Sequence, residues 1–356
     1  MQCKQPLKHI QKNGFGCISV GKTLKIYIKK GYYMNIIIKM PNFIGDTIMT
    51  LPAFELLKEE YPSASFTIVC KPSSKDIFRD KNIYKVIIDD TKSSKKGRVK
   101  RIFSLIKEIK KEKYDLGVLF HNTLLDAIIF KLSNIKTIIG YDKENRKFLL
   151  DFSLKIDRTR HYVNHYANLV NQFLNNKYSI LPPMKLEYKS SKLIQKKDKL
   201  LVGFVLGGEN KGTRHYPVSM GIELFELLDN DPIEIVLLGD KDDNSTNKIY
   251  EKFLETNQQA VTNLSGKTKV SEFIDAIASL DFLVTIDTSA IHIAAATNTK
   301  FLVLVGKGSS AFDTVYPKSN IGTFIFQGEN LIQDKDLITA IEATKIYEKI
   351  IQIHKD

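Results

Sequence analysis

The chain has 356 residues, 43% of them hydrophobic, and a formal net charge of +13, which is enough for two domains of ordinary size and excludes a single small one. No run reaches the ~18 to 20 apolar residues of a membrane-spanning helix, and the N-terminus lacks the apolar core of a secretory signal, so a cytoplasmic protein is expected. Cys3, Cys17 and Cys70 are too few and too scattered for a disulfide framework or a zinc site, and neither a metal nor a cofactor is expected.

Residues 1–33 hold seven lysines and no acidic residue. They are expected to form a poorly ordered extension ahead of Met34. Inside them GCISVGKT, Gly16 to Thr23, fits the G-x-x-x-x-G-K-[ST] loop of P-loop NTPases. Such a loop works when a buried strand delivers it to a helix N-terminus, where backbone N–H groups meet the phosphates. Here KHIQKNGF precedes it and LKIYIKKGYY follows it, the second alternating like an edge strand. An NTPase therefore stands as the alternative from a different class, with Asp287 at the end of FLVTID in the Walker-B place.

From Met34 the pattern becomes regular. NIIIKM, SFTIVC, YKVIID, YDLGVLF and IKTIIGY read as short buried strands with helical stretches between several of them. TIMTLPAFELLKEEYP is one such stretch, and Pro52 predicts a bend or a late helix start. KSSKKGRVKRIFSLIKEIKKEK, Lys92 to Lys113, reads as a basic amphipathic helix that suits an anionic surface or a solvated face. SILPPMKLEY then interrupts the rhythm as a linker. KLLVGFVL, IEIVLLGD, DFLVTID and KFLVLVG are the strands of a second half, with VSMGIELFELL and VSEFIDAIASL as helices. The reading is α/β throughout: two Rossmann-like domains facing across a cleft, with ligands at the carboxyl ends of the strands. The expected boundaries are an extension over 1–33, a first Rossmann-like domain over 34–180, a linker over 181–198, a second Rossmann-like domain over 199–332, and a C-terminal helix over 333–356 that packs back on the first domain.

Three loops carry candidate chemistry. In MPNFIGDTIMTLP, Gly45 permits an unusual backbone angle, and Asp46 is either a general base in the cleft or the N-cap of the helix. In FVLGGENKGTRHYP, Gly207 and Gly208 let the backbone approach a diphosphate, with Glu209 and Asn210 beside them and Arg214 to neutralise it. In DFLVTIDTSAIHIAAAT, the turn at Asp287, Thr288 and Ser289 offers N–H groups at a helix start, and His292 follows about one turn later.

These segments, together with NLSGKTKVSEFIDAI at 263–277 and VGKGSSAFDTVYP at 305–317, resemble in this order the heptosyltransferases of lipopolysaccharide core synthesis, glycosyltransferase family 9. The resemblance runs from Met34 to the C-terminus. It implies a GT-B fold, with 34–180 as the acceptor-binding domain, 199–332 as the nucleotide-sugar-binding domain holding ADP-heptose, and Asp46 as the general base. Arg214 stands where the family has lysine, and Ser289 replaces the glycine of its D-T-G-x-x-H turn. Asp240 and Asp242 are candidates for the donor ribose, Lys267 and Thr268 for the adenine edge. ADP-heptose is a substrate rather than a cofactor, and the acceptor is a Kdo- or heptose-bearing lipid A core, the second heptose being the tilt. The expected enzyme is an inverting transferase, a monomer without a nucleic-acid partner. It sits peripherally on the cytoplasmic face of the inner membrane, where Lys95, Lys96, Lys100 and Arg101 meet the anionic surface or the acceptor. Rivals within the class are related GT-B transferases with another sugar nucleotide, and outside it a non-catalytic sugar-nucleotide binder.

Overall fold

A computed structural model describes residues 15–20, 23–28, 33–80, 84–195, 198–306, 311–325 and 337–355. Strands β1 (Phe15–Val20) and β2 (Thr23–Ile28) pair antiparallel, with Val20 opposite Thr23. Apart from Tyr33, the remainder of the expected extension, Lys22 included, lies outside the described residues. GCISVGKT thus begins in one strand of a hairpin and ends in the other. The NTPase reading loses the strand–loop–helix geometry that its phosphate chemistry needs.

Two six-stranded sheets make up the rest. The first contains β3 (Asn35–Lys39), β4 (Ser65–Cys70), β5 (Tyr84–Ile88), β6 (Leu116–Leu119), β7 (Thr137–Asp142) and β8 (Phe152–Lys155) in the order β5-β4-β3-β6-β7-β8. The second contains β9 (Leu200–Val205), β10 (Ile233–Leu237), β11 (Val261–Asn263), β12 (Phe282–Ile286), β13 (Lys300–Leu304) and β14 (Gly322–Ile325) in the order β11-β10-β9-β12-β13-β14. Every pairing in both is parallel. Counted within each sheet, both orders are 3-2-1-4-5-6, the doubly wound arrangement. It opens a crevice between the first and fourth strands at their carboxyl ends. Central strands such as Ile36–Ile38 and Leu283–Val284 are wholly buried, as a sheet covered on both faces requires. The short outer strands β8, β11 and β14 hold too little apolar sequence to stand out and were not foreseen.

In the first half the helices are α1 (Ile44–Met49), α2 (Leu51–Glu60), α3 (Arg98–Ile109), α4 (Leu124–Leu132) and α5 (Tyr162–Phe173). The second half has α6 (Val218–Leu227), α7 (Asn244–Thr256), α8 (Val270–Ala278), α9 (Ser289–Thr297), α10 (Phe312–Val315) and α11 (Ala343–Lys355). The helix break falls at Thr50, with Pro52 in the first turn of α2 where its missing N–H costs nothing. The basic helix is shorter than its sequence suggested. Gly97 takes a left-handed angle, φ 73°, and only Arg98 onward is helical.

Residues 181–195 contain no helix or strand, and the segment is tacked to the second half by the Leu186 N–H donating to the Ala296 carbonyl at 3.0 Å. Helix α11 corrects an expectation. It packs on α6, with Ile346 and Ile350 in the second half's core, rather than back across the first domain. Its apolar stripe fits the open flank of that core. On their other faces the two halves are not separately cored: one cluster runs from Ile36 and Leu56 through Ile48 to Ile291, Ile277 and Val205.

Candidate active site

Several contacts join the halves, and one of them lies between α1 and α9. A Cβ placed on Gly45 would stand 2.9 Å from His292 Cδ2 and 3.7 Å from Ser289 Cα. Gly45 is helical and has no positive φ, so the unusual backbone angle expected of it is absent. Its small size instead lets α1 lie against the start of α9. His292 is 5% exposed and its ring faces that contact rather than open solvent. Burial, with His161 adding to it, lowers its pKa to about 3 and keeps it neutral. Its Nδ1 has no partner among the described residues.

Asp46 follows Gly45. The N-cap of α1 is Phe43, with no side-chain cap, so Asp46 is not the capping aspartate that was its competing reading. Among the described residues no hydrogen bond or ion pair engages its carboxylate. Burial raises its pKa to about 6, and His121 opposes that rise. A carboxylate poised near neutrality without a structural partner suits a general base.

His121 arrives on the loop after β6, the other lip of the crevice. Its Nδ1 lies 2.5 Å from Asp126 Oδ2 and its Nε2 2.8 Å from Asn42 Nδ2. Burial alone would raise Asp126, but hydrogen bonding from His121, the Lys39 charge and the Thr123 hydroxyl bring its pKa below the usual carboxylate value. The loop is clamped from beneath by Arg146, which is fully buried. Its Nη1 donates to the carbonyls of His121 and Thr123 at 2.9 and 3.0 Å, its Nη2 to Asn122 Oδ1 at 2.8 Å, and its Nε to the Tyr141 carbonyl at 2.8 Å. Burial lowers that guanidinium to about 10, so it remains charged. Around Asp46 opens a cleft of about 790 Å³, walled by Lys143, Lys155, Arg158 and Arg160, by Tyr162 and Tyr166 of α5, and across the gap by Ala311 and Thr314.

In the second half the loops after β9 and β12 meet in the equivalent crevice. Gly207 has φ 78°, a left-handed angle that glycine adopts freely. Gly208 lies so close to the next loop that a Cβ would be 2.9 Å from the Asp242 carbonyl. Arg214, half-buried, donates from Nη1 to the Asp287 carbonyl at 3.2 Å and ties the two loops together. Burial raises the Asp287 pKa, and Arg214 opposes it. Thr288 caps α9, its hydroxyl accepting from the Ala290 N–H at 3.3 Å, and Ser289 opens the helix. Asn210 is exposed, and the Glu209 side chain is outside the described residues.

Asp240 is already engaged. It accepts from Lys211 Nζ at 2.5 Å and from the N–H groups of Asp242 and Asp243 at 2.8 and 3.2 Å. Lys267 donates to the Asn263 carbonyl at 2.8 Å, with Thr268 next to it in the following loop.

Of the basic-surface candidates, Lys95, Lys96 and Lys100 are exposed. Arg101 is not free: its guanidinium donates to the carbonyl of Lys96 at 2.9 Å and to that of Ser94. The expected residues therefore gather into two loop clusters, one in each half, joined through Gly45 and His292. Sequence reading missed His121, Asp126, Arg146, Arg158 and Arg160. The signal for the first two was present, since a doubly wound sheet opens its crevice at the loop after the fourth strand, here FHNTLLDA. Nothing in GYDKENRKFLLDF marks Arg146 as buried.

Residues 102–328 match the family model of glycosyltransferase family 9 (heptosyltransferase). The chain is 26% identical over 279 residues to lipooligosaccharide heptosyltransferase 2 of Campylobacter jejuni subsp. jejuni serotype O:2, covering 77% of this chain and 81% of that one. It is 26% identical over 309 residues to lipooligosaccharide heptosyltransferase 2 of Haemophilus influenzae, covering 82% and 88%. The solved structure of E. coli ADP-heptose lps heptosyltransferase II superposes with a TM-score of 0.77 at 20% identity, over 90% of this chain and 98% of that one. That likeness identifies the two doubly wound halves as a GT-B fold. With the family model spanning more than half its length, the chain is a glycosyltransferase and belongs to glycosyltransferase family 9, the heptosyltransferases.

Proposed function

We propose that the protein transfers heptose from ADP-heptose to the Kdo/heptose inner core of a lipopolysaccharide acceptor, with inversion at the anomeric carbon. The observation that carries this reading is the contact of α1 with α9 through Gly45. It brings a partnerless, half-buried carboxylate next to a helix start suited to a diphosphate. Asp46 accepts the proton of an acceptor hydroxyl as that oxygen attacks the anomeric carbon from the face opposite the ADP leaving group. Arg214 and the N–H group of Ser289 take up charge developing on the diphosphate, and Gly207 and Gly208 let the chain approach it closely. The anionic acceptor enters along Lys143, Lys155, Arg158 and Arg160, where its phosphates and carboxylates meet cations. The name of the E. coli protein supports this donor, and the Campylobacter and Haemophilus relatives, each a heptosyltransferase 2, support the second heptose as the unit added.

No described helix is long and apolar enough to cross a membrane, and the protein works peripherally at the cytoplasmic face of the inner membrane, where its lipid-anchored acceptor is made. A donor screen tests the reading. Purified protein with a heptose-bearing core acceptor turns over ADP-heptose in preference to ADP-glucose, UDP-sugars and GDP-sugars, whereas preference for another sugar nucleotide contradicts it.

A further inference from the structure

The chain between Asp90 and Glu108 contains no acidic residue, and the structure sets its charges at one end of the first sheet. Strand β5 ends at Ile88 and α3 starts at Arg98, so the loop between them and the first turn of α3 lie at the carboxyl edge of the sheet. The cleft opens at this same edge. Lys95, Lys96, Arg98 and Lys100 are exposed there, and Arg101 spends its guanidinium inward on the Ser94 and Lys96 carbonyls, which holds the basic loop in shape.

Among these cations stand large apolar side chains that the described residues leave mostly exposed. Val99 is 66% exposed and Phe103, one turn along α3, 64%. Helix α3 packs on α4, and α4 on the turn Arg146–Leu149. That turn follows β7 at the same carboxyl edge and carries Phe148, 78% exposed, next to exposed Lys147. The inner sides of these elements are spent on the core beneath, through Leu105, Ile106, Ile109 and Leu149. Apolar side chains standing in a field of cations on a rigid, already cored surface match an anionic lipid bilayer better than an acidic protein. Phenylalanine seats at the acyl boundary while lysine stays with the headgroups.

We propose that Val99, Phe103 and Phe148, ringed by Lys95, Lys96, Arg98, Lys100 and Lys147, form the face that docks on an anionic bilayer, turning the mouth of the cleft toward the lipid. The proposal rests on the reading of a lipid-anchored acceptor and specifies how that acceptor is reached. Each exposed cation near an anionic surface adds roughly fivefold to binding. The apolar trio converts that loose attraction into a fixed orientation, and an acceptor extending from the bilayer meets Asp46 without leaving it.

The chain has no tryptophan, so single substitutions give clean reporters. Phe103→Trp and Phe148→Trp proteins are mixed with phosphatidylcholine vesicles with and without phosphatidylglycerol, and Ile249→Trp, on exposed α7 of the other half, serves as control. Both face reporters shift to the blue with anionic vesicles only, and the control does not move. The triple variant Val99→Ser, Phe103→Ser, Phe148→Ser loses vesicle binding by roughly tenfold or more. It keeps wild-type turnover on an acceptor freed of its acyl chains. Unshifted face reporters on vesicles that do bind the protein overturn the proposal, as does a triple variant that binds undiminished. Should wild type transfer no heptose, the functional reading fails while the fluorescence still decides the docking face.

Discussion

Gly45 lies against His292 so closely that a Cβ on the first would meet Cδ2 of the second at 2.9 Å. The helix that carries Asp46 in one half and the helix capped by Thr288 in the other are joined at a point where only a hydrogen atom fits. His292 itself is buried, 5% exposed.

Substituting Gly45→Ala therefore sets two effects against each other. Alanine is the better helix former by about 1 kcal/mol, whereas overpacking a buried contact costs about 1–3 kcal/mol. A net loss of stability in thermal melts is expected, together with a fall in transfer rate as Asp46 moves away from the donor turn. A variant more stable and as active as wild type would mean that the contact is loose.

Asp46→Asn separates function from stability. Removing the base lowers turnover by roughly a hundredfold or more, with ADP binding unchanged. The burial that raises its pKa to about 6 favours the protonated form of the folded protein. Its contribution to stability is therefore complete below the unfolded aspartate value near 4 and is lost as pH rises through 6. At pH 8 the asparagine variant is thus expected to be more stable than wild type, by on the order of 1–2 kcal/mol in urea unfolding. The wild-type rate has the matching limb, falling below about pH 6 as the base takes up its proton.

How far the sequence disclosed this site depends on the physics of each residue. Buried parallel strands announce themselves as apolar runs such as NIIIKM and DFLVTID, and loops at their ends gave Asp46, Arg214 and Thr288. Gly45 was noticed for the wrong reason, because close approach between helices distant in sequence leaves no local trace. His121 was legible once the strand order was known, since the crevice forms where that order reverses. Arg146 was not, because an arginine in a polar loop looks the same whether it faces water or four buried acceptors.

Arg146 is accordingly predicted to be structural in its first effect. Arg146→Met strands the carbonyls of His121, Thr123 and Tyr141 and the Asn122 side chain, at a cost of about 3–5 kcal/mol in chemical denaturation. Lysine cannot reproduce the fork and is expected to recover less than half of this. Full recovery by lysine would show that charge rather than geometry is what the loop requires.

Arg214→Ala, by contrast, should leave the fold intact. Among the described residues its guanidinium makes one hydrogen bond, across the crevice at 3.2 Å. ADP affinity measured by calorimetry is expected to fall about ten- to a hundredfold, a charge-assisted hydrogen bond being worth about 1.5–3 kcal/mol. Unchanged affinity would place the diphosphate elsewhere.

Mass spectrometry of the acceptor tests the central claim most directly. A core oligosaccharide carrying Kdo and one heptose, incubated with ADP-heptose and the protein, gains the mass of one heptose residue with wild type and not with Asp46→Asn. An acceptor whose mass is unchanged under wild type, or one glycosylated equally by Asp46→Asn, would contradict the account.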